Sequence, residues 1–95
     1  MRDFDFGNLT PVRITNHARD QWRSRLKQSA LYGHPLNENT WYEAEVVSAP
    51  SADCDEQRLY QMRGHRDMLL CGKYHPDYTS VVTVLYADYD RLSRY

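Results

Sequence analysis

The chain has 95 residues, of which 41% are hydrophobic and 26% are charged, and its formal net charge is -1. This length predicts one folded domain and excludes a second one within it, and the near-neutral charge excludes a protein that binds polyanions over its whole surface. The sequence shows no apolar run of transmembrane length and no secretory leader before its first charged residues, so we expect a cytoplasmic protein that makes no membrane contact.

The basic residues are concentrated near the N-terminus. Residues 11–27 hold five basic side chains and one acidic side chain, Asp20, whereas residues 38–56 hold six acidic side chains and no basic one. A domain whose charges are separated in this way can still form a confined site for an anion.

The first third of the chain predicts a short strand and a helix. Val12–Ile14 is the strand, and Thr15 or Asn16 is the N-cap of a helix that runs from residue 17 to about residue 28. Apolar residues recur along this helix at every fourth position and predict its buried stripe. They are Ala18, Trp22 and Leu26.

A second, shorter helix is predicted from residue 37 to about residue 44, with extended chain following near Glu45. Two capping motifs compete for its start. Thr40 with Glu43 fits a capping box, whereas a hydrophobic staple places the cap at Asn37.

The second half of the chain predicts an antiparallel meander of three strands, over residues 58–63, 68–74 and 80–86. The last of these strands is β-branched and mostly apolar on both faces, which is typical of a central strand. We therefore expect an α+β fold in which two N-terminal helices pack on one face of a small, mainly antiparallel twisted sheet.

Four strings in this order resemble the RelE-like toxin superfamily, a group of small ribonucleases that also includes barnase-like and colicin-type domains. The resemblance covers about residues 12–86, and the order of the strings carries it. The strings are residues 14–19 with 22–25, 58–60, 68–70 and 82–85.

The resemblance implies a single domain with a RelE-like core at 12–86, an N-terminal arm at 1–11 and a C-terminal tail at 87–95. It also implies an endoribonuclease of a toxin–antitoxin pair, which acts in the cytoplasm without a metal or other cofactor. The implied partners are RNA or the ribosome and an inhibiting antitoxin. The near-neutral charge of this chain departs from that of typical toxins.

Cleavage of RNA without a metal requires a base for the 2′-hydroxyl proton, an acid for the 5′-leaving oxygen and cations for the charge on phosphorus. By the resemblance, His17 is the acid or base, Arg25 binds phosphate, and Thr83 contacts the substrate or orients His17. The structural alternative is that His17 covers the strand–helix junction, while Arg25 and Thr83 are an ordinary helix charge and an ordinary strand residue.

Five further residues are candidates for binding the substrate, because they are cationic or aromatic side chains on a helix flank, at a turn or on a strand. The structural alternative is that they are solvated helix charges, a polar hairpin turn, which is the favoured interpretation of Arg63 and His65, and ordinary strand residues. The resemblance implies a concave polar face of the sheet that contacts RNA; it would carry Gln61, Arg63, Lys73 and Thr83, or their strand neighbours if the register differs by one residue. The five are Arg23, Arg63, His65, Lys73 and Tyr86.

A metal site is not predicted. Cys71 and His75 are four residues apart, with Cys54 and His65 elsewhere in the chain, but a structural zinc site has tighter paired spacing. We expect both cysteines to be reduced thiols, as is usual in the cytosol.

Two other functions fit the same residues. One is a non-catalytic binding module or inhibitor on the same scaffold, encoded by a virus or plasmid, which the neutral charge and the eight tyrosines favour. The other is a homodimeric regulator whose exposed aromatic side chains form a partner surface.

Overall fold

The computed structural model describes residues 10–27, 33–48 and 53–94. Most of the predicted arm at 1–11 and the predicted helix end at residue 28 lie outside the described residues. In chain order the elements are β1 (Val12–Ile14), α1 (Asn16–Leu26), α2 (Glu38–Glu43), β2 (Glu45–Ser48), β3 (Glu56–Tyr60), β4 (Met68–Tyr74), β5 (Thr79–Tyr86), a 3-10 turn (Tyr89–Arg91) and β6 (Ser93–Arg94).

The strands form one sheet in the order β1-β5-β4-β3-β2-β6. The pairs within β2 to β5 are antiparallel, and β6 pairs antiparallel with β2, whereas β1 pairs in parallel with β5. The predicted α+β class is confirmed, and the sheet is mixed because of β1. The apolar sequence of β5 fits its position between β1 and β4.

The start of α1 is fixed by Thr15. Its backbone is extended, and its hydroxyl oxygen accepts a hydrogen bond from the Ala18 amide at 3.1 Å. The same hydroxyl donates to the carbonyl of Val81 on β5 at 3.1 Å, so the cap also attaches the helix to the sheet. The predicted buried stripe is confirmed, since Ala18, Trp22 and Leu26 are the buried residues of α1.

The cap of α2 is Asn37. Its side chain accepts from the Thr40 amide, and the Thr40 hydroxyl accepts from the Asn37 amide, both at 3.2 Å. The alternative cap at Thr40 is therefore wrong. One turn later, the buried ring of Trp41 lies directly over Gly72 of β4, where a Cβ atom would lie 2.6 Å from the ring carbon Cη2.

The alternation of β4 divides the core between two clusters. Met68 and Leu70 belong to a cluster that also holds the buried apolar residues of α1 and α2. Leu69, which points the other way, belongs to a second cluster with Val47, Leu59 and Ala87, against which Leu92 packs. The face that was expected to be polar therefore carries hydrocarbon at its centre. The predicted tail at 87–95 contributes to this cluster and forms β6.

Strand β3, the first strand of the predicted meander, ends earlier than predicted, at Tyr60 and not at residue 63. The Asp67 carboxylate accepts from the Met62 amide at 3.1 Å, and the Met62 carbonyl accepts from the His65 amide at 3.4 Å. These bonds close a turn and take the backbone of Met62 out of the sheet. Gly64, with φ of 79°, supplies the left-handed position that the turn requires.

The two cysteines are free thiols that lie in different surroundings, with Cys71 buried and Cys54 half-buried. Burial, with Cys54 as a neighbour, raises the pKa of Cys71 to about 12. Cys71 is then held in the thiol form at neutral pH, whereas the thiolate is the reactive form. We expect iodoacetamide to label Cys54 in the folded chain and both cysteines after unfolding in urea, as read by peptide mass spectrometry. Equal labelling of both thiols in the folded chain would contradict the burial of Cys71.

Neither described helix is long and apolar enough to cross a bilayer.

Candidate functional site

A pocket of about 510 Å³ lies between α2, β3 and the turn that joins β4 to β5. We call it the hairpin pocket. Its wall combines an acid, a guanidinium, an imidazole and several aromatic rings. The lining residues are Thr10, Trp41, Tyr42, Glu56, Arg58, Tyr74, His75, Pro76 and Thr79.

Strand alternation places the polar groups of this pocket on the same side as α2. Glu56 and Arg58 are two residues apart on β3 and share a face with Tyr60, which packs against the helix-bearing cluster. Arg58 lies over the Trp41 ring, with 4.3 Å from its Cζ to the ring centroid, and donates to the Trp41 carbonyl at 3.0 Å. The guanidinium is thus held on α2, and Arg58 lines the pocket.

Glu56 is the centre of the hydrogen-bond network. Its two carboxylate oxygens accept from Arg58 Nε and from the Tyr74 hydroxyl. The bond to Glu56, with burial and the Glu56 charge adding to it, raises the pKa of Tyr74 to about 12. Tyr74 therefore keeps its proton throughout the physiological pH range, and Glu56 and Arg58 largely cancel each other's charge.

His75 follows Tyr74 in the turn and supplies the imidazole. Its Nε2 lies 2.9 Å from the Ser80 hydroxyl oxygen, and its ring stacks on Tyr78 with 4.3 Å between centroids. When Nε2 carries the proton and donates it to Ser80, the lone pair of Nδ1 is left to accept a proton. Among the residues that the structure describes, Nδ1 has no hydrogen-bond partner. The geometry suits an acid or base.

The Tyr74–Glu56 bond leads to a prediction about stability. Because the folded-state pKa of Tyr74 is raised, the stabilisation is fully present below about pH 10 and is lost as pH rises through about 12. Tyr74 is 56% exposed, so Tyr74→Phe should lower the free energy of unfolding at pH 7 by less than about 1 kcal/mol. Urea unfolding of both proteins from pH 7 to 11 measures the difference. A difference that grows above pH 10 would contradict the assignment.

Three of the residues predicted from sequence meet at the end of α1, far from this pocket. The Arg25 Cζ lies 4.9 Å from the centroid of the Tyr86 ring, and the His65 ring stacks on the same ring at 6.3 Å. Arg66, which was not among the predicted site residues, places its Cζ 4.6 Å from that centroid. We call Arg25, His65, Arg66 and Tyr86 the cationic cluster.

Thr83 is connected to α1 through Gln21. The Thr83 hydroxyl donates to Gln21 Oε1 at 2.6 Å, and the Val84 amide donates to the same oxygen at 2.8 Å. Arg25 Nε donates to the Val84 carbonyl at 3.1 Å. Since β1 pairs only as far as Val81, these α1 side chains satisfy the backbone of β5 beyond the end of β1. Thr83 and Arg25 thus form hydrogen bonds that join α1 to β5.

The other predicted residues are not brought together. His17 is exposed in the first turn of α1, and eight residues separate it from Arg25, roughly 12 Å along the helix axis. Arg23 is exposed, with its closest acidic partner Asp20 at 4.0 Å. Lys73 is exposed opposite Ser80, at the other end of β5 from Tyr86. Arg63 is exposed beside a small pocket that contains His34.

Sequence reasoning missed the residues of the hairpin pocket, although a signal was present. Extending the alternation of the third strand back by two residues places Glu56 and Arg58 on the side of Tyr60, where an apolar face is expected. Charged residues on such a face indicate a site. His75 was considered only as a metal ligand, and in the part of the chain that the structure describes no group of three metal-binding side chains occurs.

Comparison with known proteins identifies the family. Residues 14–88 match the family model Halo_toxin, described as "Putative RelE superfamily toxin domain". No curated protein and no solved structure gives a significant match. The matched span covers most of the chain and agrees with the span of about 12–86 expected from the sequence strings. The chain therefore belongs to this RelE superfamily toxin domain family.

Proposed function

We propose that the chain is an endoribonuclease of the RelE toxin type and that the hairpin pocket is its catalytic site. One observation carries the proposal: a carboxylate, a guanidinium, a phenol and an imidazole line a single pocket of about 510 Å³. Pockets that bind small ligands have about 300–1,000 Å³, so a nucleotide is a suitable occupant. These groups are also the ones that metal-independent RNA cleavage requires.

In the proposed reaction His75 is the base. Its Nδ1 takes the proton of the 2′-hydroxyl while Nε2–H is held by Ser80. The 2′-oxygen attacks phosphorus, the bond from phosphorus to the 5′-oxygen breaks, and a 2′,3′-cyclic phosphate forms. Arg58 stabilises the charge that develops on the phosphate oxygens.

The leaving 5′-oxygen receives its proton from Tyr74. With a pKa of about 12, Tyr74 is protonated at neutral pH but is a stronger acid than a ribose alcohol. Its hydroxyl turns from Glu56 to the 5′-oxygen in this step. Glu56 is a positioning residue, because it holds both Arg58 and Tyr74 before substrate enters.

Family membership supports three further parts of the proposal. The substrate is RNA, free or on the ribosome; the inhibiting partner is an antitoxin; and the site of action is the cytoplasm. The predicted residues His17, Arg23, Arg63, Lys73 and Thr83 lie outside the hairpin pocket, and we do not assign them to the chemistry.

Purified chain, incubated with 5′-labelled RNA in the presence of EDTA, tests the proposal. We expect fragments that end in 2′,3′-cyclic phosphate, and arrest of growth when the chain is expressed without an inhibitor. The proposal would be contradicted if a purified chain that shows a normal unfolding transition leaves the RNA intact and its expression leaves growth unimpaired.

A non-catalytic binding module is the second candidate. The pairing of Glu56 with Arg58 favours it, because the pair reduces the net charge that the pocket offers to phosphate. Stoichiometric binding of RNA or of a protein, with no cleavage at any enzyme concentration, is the result expected for that function.

A further inference from the structure

In the cationic cluster, two guanidinium groups lie against the ring of Tyr86. The Cζ atoms of Arg25 and Arg66 lie 4.9 and 4.6 Å from the centroid of the Tyr86 ring. The two Cζ atoms are therefore at most about 10 Å apart, and each guanidinium can bind phosphate oxygens in pairs. The ring attracts each cation through its π face, but it carries no charge to neutralise them.

No acidic side chain of the described residues pairs with the cluster. Within residues 10–27, 33–48 and 53–94, neither Arg25 nor Arg66 takes part in an ion pair. The nearest acid in sequence is Asp67, whose carboxylate accepts from the Met62 amide and the Tyr89 hydroxyl. An anion from outside the chain would complete the charge balance.

His65 connects the two segments that carry the arginines. Its Nδ1 lies 2.8 Å from the Arg66 carbonyl oxygen and its Nε2 lies 3.1 Å from the Arg25 carbonyl oxygen. A carbonyl oxygen only accepts hydrogen bonds, so whichever ring nitrogen carries a proton has an acceptor facing it.

Among the described residues, most guanidinium donors of the cluster have no hydrogen-bond partner and can bind a ligand. Arg25 uses Nε on the Val84 carbonyl, which leaves its two terminal amino groups. Arg66 is exposed in the turn between β3 and β4, and no hydrogen bond from its side chain occurs among the described residues. The Tyr86 hydroxyl donates to the Arg25 carbonyl at 3.3 Å and fixes the ring beside the end of α1.

We propose that the cationic cluster binds a backbone phosphate of single-stranded RNA and anchors the strand at a distance from the hairpin pocket. The nature of the anion rests on the proposed function; the existence of the anion site does not. Thr79 lines the hairpin pocket and Tyr86 lies seven residues along β5, roughly 23 Å away. The cluster is thus an anchoring site and not part of the reacting centre.

The test measures binding apart from cleavage. A fluorescent single-stranded oligonucleotide with 2′-O-methyl groups cannot be cut, and its affinity is measured by anisotropy over a series of salt concentrations. Each phosphate contact contributes roughly 0.7 to the slope of log K against log salt for single strands. Arg66→Gln should lower that slope by about 0.7 and weaken binding. The matched control Arg91→Gln removes an exposed arginine of the 3-10 turn and should leave the slope unchanged.

Equal slopes for wild type and Arg66→Gln, or equal losses in Arg66→Gln and Arg91→Gln, would overturn the proposal. A second arm titrates inorganic phosphate while following the Nε–H resonances of Arg25 and Arg66 by NMR. Saturating shifts there, without any effect of Arg66→Gln on RNA, assign the site to a free phosphate and also overturn the RNA anchor. A chain that binds the uncut RNA through Arg66 but cleaves no ordinary RNA would overturn only the catalytic function.

Discussion

His75→Ala is expected to lower the rate of RNA cleavage by about 10²–10⁴-fold, the usual contribution of a positioned acid or base. The side chain is exposed and its ring hydrogen-bonds only to Ser80 among the described residues, so the free energy of unfolding should change little. Cleavage of a labelled RNA by both proteins, measured at enzyme excess, gives the ratio directly.

The same cleavage assay on His17→Ala shows whether His17 or His75 is the acid or base. The sequence resemblance places the acid or base at His17, whereas the pocket geometry places it at His75. A loss confined to His75→Ala supports the hairpin pocket. A loss confined to His17→Ala moves the reacting centre to the N-terminal turn of α1 and refutes the assignment made from the pocket.

Gly72→Ala is expected to destabilise the fold by about 1–3 kcal/mol, the usual cost of forcing extra volume into a packed core. The added methyl would lie 2.6 Å from Cη2 of Trp41 and 3.1 Å from Cζ2. Trp41 is 2% exposed and carries Arg58 on its ring, so it has little room to move. Displacing the ring would also displace Arg58, and cleavage should fall with stability. Urea unfolding of wild type and variant gives the change.

Gly33→Ala is the matched control, because a Cβ at Gly33 meets no atom of the described residues within 4 Å and its φ is not in the left-handed region. The same methyl group should there be neutral, or stabilising by up to about 1 kcal/mol through the unfolded chain. If Gly72→Ala proves as stable as Gly33→Ala, then Trp41 does not pack on β4 as described.

The strongly periodic elements could be predicted from the sequence because burial determines their pattern. The stripe of α1 and the span of β4 at 68–74 match the structure. The end of β3 could not be predicted in this way, because it depends on the side chain of Asp67 bonding to the Met62 amide. Such a bond leaves no periodic signal, and the error moved the strand by two or three residues.

The candidate site was harder to predict than the fold. Glu56 and His75 are far apart in sequence and share a pocket only because β3 pairs with β4 in the register that sets Glu56 opposite Gly72. The convergence of Arg25, His65 and Tyr86 likewise depends on where α1 ends against β5. Residue types indicated cationic and imidazole chemistry, but the pairing of elements decides which residues meet.

The closure of the β5 border by Gln21 and Arg25 limits how another polypeptide can attach. A peptide that extends a sheet by strand addition needs unoccupied amide and carbonyl groups along a border. At Val84 both groups already form hydrogen bonds to side chains of α1. An added strand could pair there only after α1 had been displaced from β5. Strand addition to the described sheet is thus possible only at its outer strands β1 and β6. Along the second half of β5, α1 blocks the pairing that would let two copies of the chain associate through this strand.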